Sequence, residues 1–371
     1  MSRSGVSRRE KSWRYLHYGR FEDFRGRNGR ARWTGGYPVS RTSIVLWRHD
    51  QIKTDELVRF ARGAEDAGMD TLWIPETWVR DASVQLAISA YSTERIRIAS
   101  GIFNIYSRSP GQLAQTASEL DVLSGGRFTL GIGVSGRAVI ENWHSQSFDR
   151  PLVRTREVIS VLRQAFEGAR VNFAGQMVKM EGFRLRQRPV QKKMPVYLAA
   201  NGPANTRLAG EVADGWIPFL IPFSRFEEAN AILEEGARRG QRPAPEIDTA
   251  PFVLYSPNED TGRARDLLRP IIGFYVGAMG DYYHGQLTRW GYGDEADRIR
   301  GAWKDGGREA AARAVPDNLV DDLALCGPVD RCREGLERLR QAGVTHPILR
   351  LPDEMDEAEV LQGIATIPAL Q

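Results

Sequence analysis

ERIRIASGIFNIYSRSPGQLAQTASELDVLSGGRFTLGIGVSGRAVIENWH, running from Glu94 to His144, is the stretch whose reading decides the fold. Arg95–Gly101 alternates charged and branched apolar residues and then turns small, as a strand does when it reaches a site. Gln112–Leu123 sets Leu113, Thr116, Ala117, Leu120 and Leu123 on one helical face, and Ser124-Gly125-Gly126 stops that helix with residues tolerant of positive φ. Phe128–Ile132 is a short apolar strand, and Gly131-Ile132-Gly133-Val134-Ser135-Gly136 forms the loop beyond it. Two strands therefore deliver two small-residue loops to one end of a parallel sheet, the end at which α/β proteins place ligands.

Working outward toward the N-terminus, Ser43–Trp47 and Asp70–Ile74 read as core strands, with helices predicted over Asp55–Ala67 and Ser83–Tyr91. The second strand stops at Pro75-Glu76-Thr77. Toward the C-terminus, Asp149 and Pro151 start a helix, and Val171–Leu185 predicts a hairpin turning at Ala174-Gly175. Strands follow at Pro195–Ala200, Gly215–Phe219, Thr249–Tyr255 and Ile348–Leu351, with helices up to Ala213 and over Phe226–Arg239 and Arg331–Ala342. Residues 257–325 read as polar and helical with no strand of their own. Eight strands alternating with helices predict an α/β fold, a single (β/α)8 TIM barrel over residues 42–371 with a helical insertion before the last strand.

The chain has 371 residues, 42% of them apolar, enough for one large core. Cys326 and Cys332 have no third partner nearby, so they are poor metal ligands by count, and a disulfide scaffold is excluded. No apolar run reaches the length of a membrane span and no signal peptide is visible, which places the expected protein in the cytoplasm. Up to residue 41 the sequence holds eleven Lys or Arg against three acids, a net of +8, while the whole chain is +4, so residues 42–371 carry −4. That basic head has no lasting period and reads as a disordered extension; contact with nucleic acid or a membrane surface is the sharper alternative.

Gly131-x-Gly133-x-x-Gly136 follows a strand, yet the acidic residue that a dinucleotide fingerprint needs about twenty positions on would fall inside a helix. What is left is a loop whose amides, with the Ser135 hydroxyl, suit a phosphate. Gly136 directly after Ser135 rules out a nucleophile elbow, and His17, His49, His144, His284 and His346 make no metal pair. Glu76, at the end of the second strand, stands where barrel enzymes keep acids and bases; a salt-bridged rim residue is the plain alternative. Trp73 and Trp78 flank it as walls for a planar ligand or, in the case of Trp73, as core.

Residues 93–136 (TERIRIASGIFNIYSRSPGQLAQTASELDVLSGGRFTLGIGVSG), ENWH at 141–144 and VYLAANGPANTRLAGEVADGWIP at 196–218 resemble the luciferase-like flavin-dependent oxidoreductases. YVGAMG (275–280) and AVPDNLVDDLALCGP (314–328) extend the resemblance, which is nearest to the branch using the deazaflavin coenzyme F420, including methylenetetrahydromethanopterin reductase. The resemblance implies a TIM barrel with insertions and hydride transfer between F420 and a small-molecule substrate. It implies a cis peptide at Gly101–Ile102, or one bond earlier, behind the ring, and Asn104 at the ring edge. Val134, Ser135 and Gly136 would hold the ribityl and phosphate portion, and Ala200, Asn201, Gly202 and Pro203 would line the tail. Glu76 is the first choice for a proton-handling group and His144 the second. A homodimer is usual in such a family. FMN with a partner reductase is the alternative chemistry, and a non-catalytic flavin carrier the alternative outside catalysis. Glu76-Thr77 stands where sugar-phosphate dehydrogenases of the family have Asp-His, so sugar oxidation with a histidine base is not implied. Arg137-Ala138 replaces the family's usual Pro-Gln after Gly136, and Tyr275, Met279, Tyr282 and Tyr283 suggest an aromatic mouth.

Overall fold

The computed structural model describes residues 41–47 and 52–370, so the basic head assigned to residues 1–41 lies, apart from Arg41, outside the described residues. Eight short strands make the framework: β1 (Ser43–Val45), β2 (Thr71–Ile74), β3 (Arg97–Ser100), β4 (Phe128–Gly133), β5 (Val196–Ala199), β6 (Gly215–Ile217), β7 (Phe252–Pro257) and β8 (Ile348–Arg350). From β1 to β6 each pairs in parallel with the next, and β8 lies between β1 and β7. The ring closes between β6 and β7. Asp248-Thr249 pairs with Gly215-Trp216, and the amides of Ala250 and Phe252 donate to Trp216 and Pro218 at 2.8 and 3.0 Å. The TIM barrel expected from the strand count is the fold that forms.

Strand alternation explains which side chains fill it. On β4, Phe128, Leu130 and Ile132 join the apolar layer under the outer helices, with Leu113, Leu120 and Leu162. Val45, Trp73, Ala99, Tyr197, Ile217, Leu254 and Ile348 form the inner cluster instead. Trp73 is fully buried at the centre, which settles its reading as core. Two of the inner positions of β4, Gly131 and Gly133, are glycines for a reason: a Cβ on Gly131 would lie 2.0 Å from the Ser100 carbonyl and 3.1 Å from the Trp73 ring. The helix Pro110–Ser124 starts on Ser109, whose hydroxyl accepts the Gln112 amide at 3.2 Å. It ends at Gly125, φ 69°, as the sequence required.

Four details differ from expectation. The seventh strand is not continuous, since Ala250-Pro251 interrupts it while the chain changes partner from β6 to β8. Residues 257–325 do contain strand: after the helices Thr261–Ala278, Asp281–Arg289, Gly293–Ala314 and Asp317–Leu323 comes Ala324–Gly327, paired in parallel with the outer half of β7. Arg150, not Asp149, caps the helix Pro151–Phe166, with φ 41°. The hairpin of Val171–Ala174 and Lys179–Phe183 turns later than predicted because the Glu157 carboxylate gathers the amides of Gln176, Met177 and Val178 at 2.7–2.8 Å.

A charged network shuts the end of the barrel where the strands begin. Arg41 donates to Asp248 at 2.6 Å and to Asp70 at 3.4 Å, Arg97 to Asp70 at 2.9 Å, and the Tyr197 hydroxyl to Asp248. The His346 ring is 2.5 Å from the Ser43 hydroxyl. Burial pushes His346 down to about 3, and Arg41 adds to that, so the ring is neutral beside Asp70. Burial alone would raise Asp70, but the facing Arg97 and Arg41 and the Thr71 hydroxyl hold its carboxyl well below the usual range.

Candidate functional site

The opposite end, where β3, β4 and β5 stop side by side, gathers the small residues singled out in the sequence. Gly101–Ile102 is a cis peptide. Gly101 is there because nothing larger fits: a Cβ would lie 2.9 Å from the Phe252 ring and 3.3 Å from Trp73. Phe103-Asn104 then continues the pairing with Ile132-Gly133, and the buried Asn104 accepts the Tyr106 amide at 2.8 Å. Ile102 sits against Gly133, whose notional Cβ would come within 2.9 Å of it.

The next strand ends in Val134-Ser135-Gly136. Ser135 is exposed with φ 58°, and the nearest atom to a Cβ on Gly136 is the Met279 methyl at 3.9 Å. After β5, Ala200 is tied to β6 through its amide and carbonyl, to Ile217 at 3.2 Å and the Trp216 indole at 2.6 Å. Asn201 accepts the Phe219 amide at 2.8 Å. Gly202 has nothing within 4 Å of where a Cβ would be, and Pro203 opens the helix Pro203–Val212. Gly136 and Gly202 thus border open space with their backbones anchored.

The far wall of the mouth is aromatic. Phe219 stands edge-on to Tyr275 at 4.9 Å, Tyr275 to Tyr283 at 4.9 Å, and Trp47 to Phe252 at 6.1 Å. Tyr275 and Tyr283 come from the insertion, which is fastened here by the buried Gln286 donating to the Phe219 and Leu220 carbonyls at 2.9 and 2.6 Å. Tyr282 is about half exposed, with its hydroxyl against the backbone amides of Asn201 and Gly202. Arg350, at the end of β8 and 1% exposed, donates to Asp353, stacks over Trp47 at 4.3 Å and lies against the Tyr275 hydroxyl.

Glu76 is at the rim, and its carboxylate takes two 2.5 Å contacts from Arg108, which also pairs with Asp81 at 2.8 Å. Sequence reasoning missed Arg108, although it lies four residues past Asn104 in the quoted stretch, and it missed Arg350, an arginine closing an apolar strand. His144 follows the π-helical turn Val139–Trp143 and is half-buried. Arg137 pairs with Glu141 at 2.7 Å and covers Phe148. Trp78 is exposed, away from the inner cluster. Among the described residues no His, Cys, Asp and Glu are grouped to hold a metal, and no helix is long and apolar enough to cross a membrane.

Known proteins resemble this chain in sequence and fold. Rv3520c of Mycobacterium tuberculosis, named as a coenzyme F420-dependent oxidoreductase, is 35% identical over 76% of this chain and 86% of its own. The 5,10-methylenetetrahydromethanopterin reductase of Archaeoglobus fulgidus is 29% identical over 86% of this chain and 97% of its own. The solved structure of the coenzyme F420-dependent tetrahydromethanopterin reductase from Methanopyrus kandleri superposes with a TM-score of 0.78 at 28% identity, covering 90% of this chain and 100% of that one. The family model described as luciferase-like monooxygenase matches residues 39–346, and the chain belongs to that family.

Proposed function

We propose that this protein is an F420-dependent oxidoreductase that passes a hydride between the deazaflavin and a small organic substrate at the C-terminal mouth of the barrel. The observation that carries the reading is the open space in front of Gly136 and Gly202, beside the cis peptide Gly101–Ile102. The residues present fit such a coenzyme. Gly101, Ile102 and Asn104 give a flat bed against Trp73 and Phe252 for a ring. Val134, Ser135 and Gly136 offer backbone and a hydroxyl, and Ala200, Asn201, Gly202 and Pro203 offer a helix start, both suited to a phosphate. When bound, the coenzyme supplies two-electron hydride chemistry at its C5 carbon.

The chain's own work is binding, orientation and proton handling. Phe219, Phe252 and Tyr275 keep water from the far wall. Glu76 and His144 are the proton-handling groups. Arg108 keeps Glu76 engaged, whereas no side-chain partner is found for His144 among the described residues, which makes the histidine the freer of the two. The free, buried Cys326 and Cys332 suit a reducing cytoplasm. Val84, Tyr91 and Leu123, exposed on the adjoining helices Ala82–Ser92 and Pro110–Ser124, suit a homodimer.

Titration of the purified chain with F420 and with FMN, followed by fluorescence quenching, tests the reading. Micromolar binding of F420, with FMN weaker by about tenfold or more, is the expected result. The reverse preference would replace it with an FMN-dependent monooxygenase served by a partner reductase. Binding of neither would remove the mouth as a coenzyme site.

A further inference from the structure

We propose that the N-terminal face of the barrel carries a docking surface for anionic lipid. It is built on Phe183–Lys193, FRLRQRPVQKK, which holds five cations and no acid although residues 42–371 together carry −4. This segment runs from the hairpin to the start of β5, and Val190 and Gln191 lie against Gly126 just before β4, so it belongs to the end opposite the mouth.

Its backbone is pinned inward. The fully buried Asp121 accepts the amides of Val190 and Gln191 at 2.7 and 3.0 Å and the Gln191 side chain at 2.7 Å. Gln191 also donates to the Phe128 carbonyl at 2.6 Å, and Ser118 donates to the Gln187 carbonyl at 2.6 Å. With the backbone held, the side chains that point out are those that contribute nothing to the core. Arg184, Arg186, Arg188, Lys192 and Lys193 are exposed. Of these, only Lys193 has an acidic partner, Asp214 at 3.0 Å, among the described residues. Between them, Phe183 is 77% exposed and Val190 59%.

Fixed cations interleaved with exposed apolar side chains match a surface of negative headgroups over hydrocarbon. Phosphates of nucleic acid would use the cations but would give Val190 nothing to bury. Docking this way leaves the mouth facing water.

Co-sedimentation of the full chain with vesicles of mixed phosphatidylglycerol and phosphatidylcholine, against vesicles of phosphatidylcholine alone, provides the test. We expect binding only to the anionic vesicles, lost at high salt. The charge reversal R184E/R186E/K192E should weaken it by about tenfold or more, and Phe183→Ser by about threefold, with thermal melting and F420 affinity unchanged. No binding to anionic vesicles, or full binding by the triple variant, would overturn the proposal, the second result assigning any binding to the head. Equal affinity for duplex DNA with no effect of Phe183→Ser would overturn it in favour of nucleic acid.

Discussion

The two ends of the barrel handle polar groups in opposite ways. At the N-terminal end, side chains far apart in sequence meet one another: Arg41, Asp70, Arg97, Tyr197, Asp248 and His346 converge and shut the ring. At the C-terminal end, side chains are withheld. Gly101 and Gly133 leave room for close neighbours, Gly136 and Gly202 have no atom nearer to a notional Cβ than the Met279 methyl at 3.9 Å, and Asn104 and Asn201 spend their oxygens on backbone amides. The lesson is a division of labour, with stability invested below and vacancy maintained above.

The sharpest way to break this comparison is at the bottom. Asp70→Ala removes the carboxylate that two arginines and His346 face, and should cost about 3 kcal/mol in urea unfolding while the folded fraction keeps its F420 affinity. A loss of affinity without loss of stability would mean that the two ends are not separate. Acid attacks the same place. Folded His346 takes its proton only near 3 and an ordinary histidine near 6.5, so stability is full above about pH 7 and falls as the pH drops. By pH 5 the loss should be about 2 kcal/mol, read from urea midpoints, and His346→Gln should flatten that slope. The depressed Asp70 steepens the loss only at lower pH.

At the mouth the expectation inverts. Gly202 has an ordinary negative φ and free space, so Gly202→Val should leave the melting midpoint almost unmoved and weaken F420 by about tenfold, about 1.4 kcal/mol. A destabilised variant with unchanged affinity would show that the space is not the coenzyme's. The smallest effect belongs to Glu76→Gln. Arg108 keeps Asp81 and a glutamine oxygen can still accept from it, so unfolding should ease by about 1 kcal/mol, as denaturant titration would report.

What the sequence disclosed was mostly local. The helix stop at Gly125, the strand Phe128–Gly133 and the glycines of both loops follow from spacing and from backbone freedom, which neighbours along the chain determine. The break at Ala250-Pro251 and the strand Ala324–Gly327 were hidden because each exists only through pairing with distant strands. The bottom network was hidden for the same reason, since Arg41 and Asp248 are separated by 207 positions. At the site, the cis bond at Gly101–Ile102 was expected from family resemblance, and the structure has it. That Glu76 is shared with Arg108 could be read only from the fold, because β2 and the turn after β3 must first lie side by side.

The strand Ala324–Gly327 gives the insertion an unusual pair of anchors. The chain leaves β7 at Pro257 and re-enters the sheet at Ala324, the register partner of Leu254, so both ends of the insertion are held by one parallel strand pair. Residues 258–323 therefore form a cassette whose ends lie one short strand apart, about 10 Å, on a fixed pair of strands, and each doubling of its length would add only about 0.6 kcal/mol of closure entropy. Evolution, or a designer, can exchange this cassette between relatives and rebuild the wall that Tyr275 and Tyr283 supply without disturbing the glycine loops on the other side.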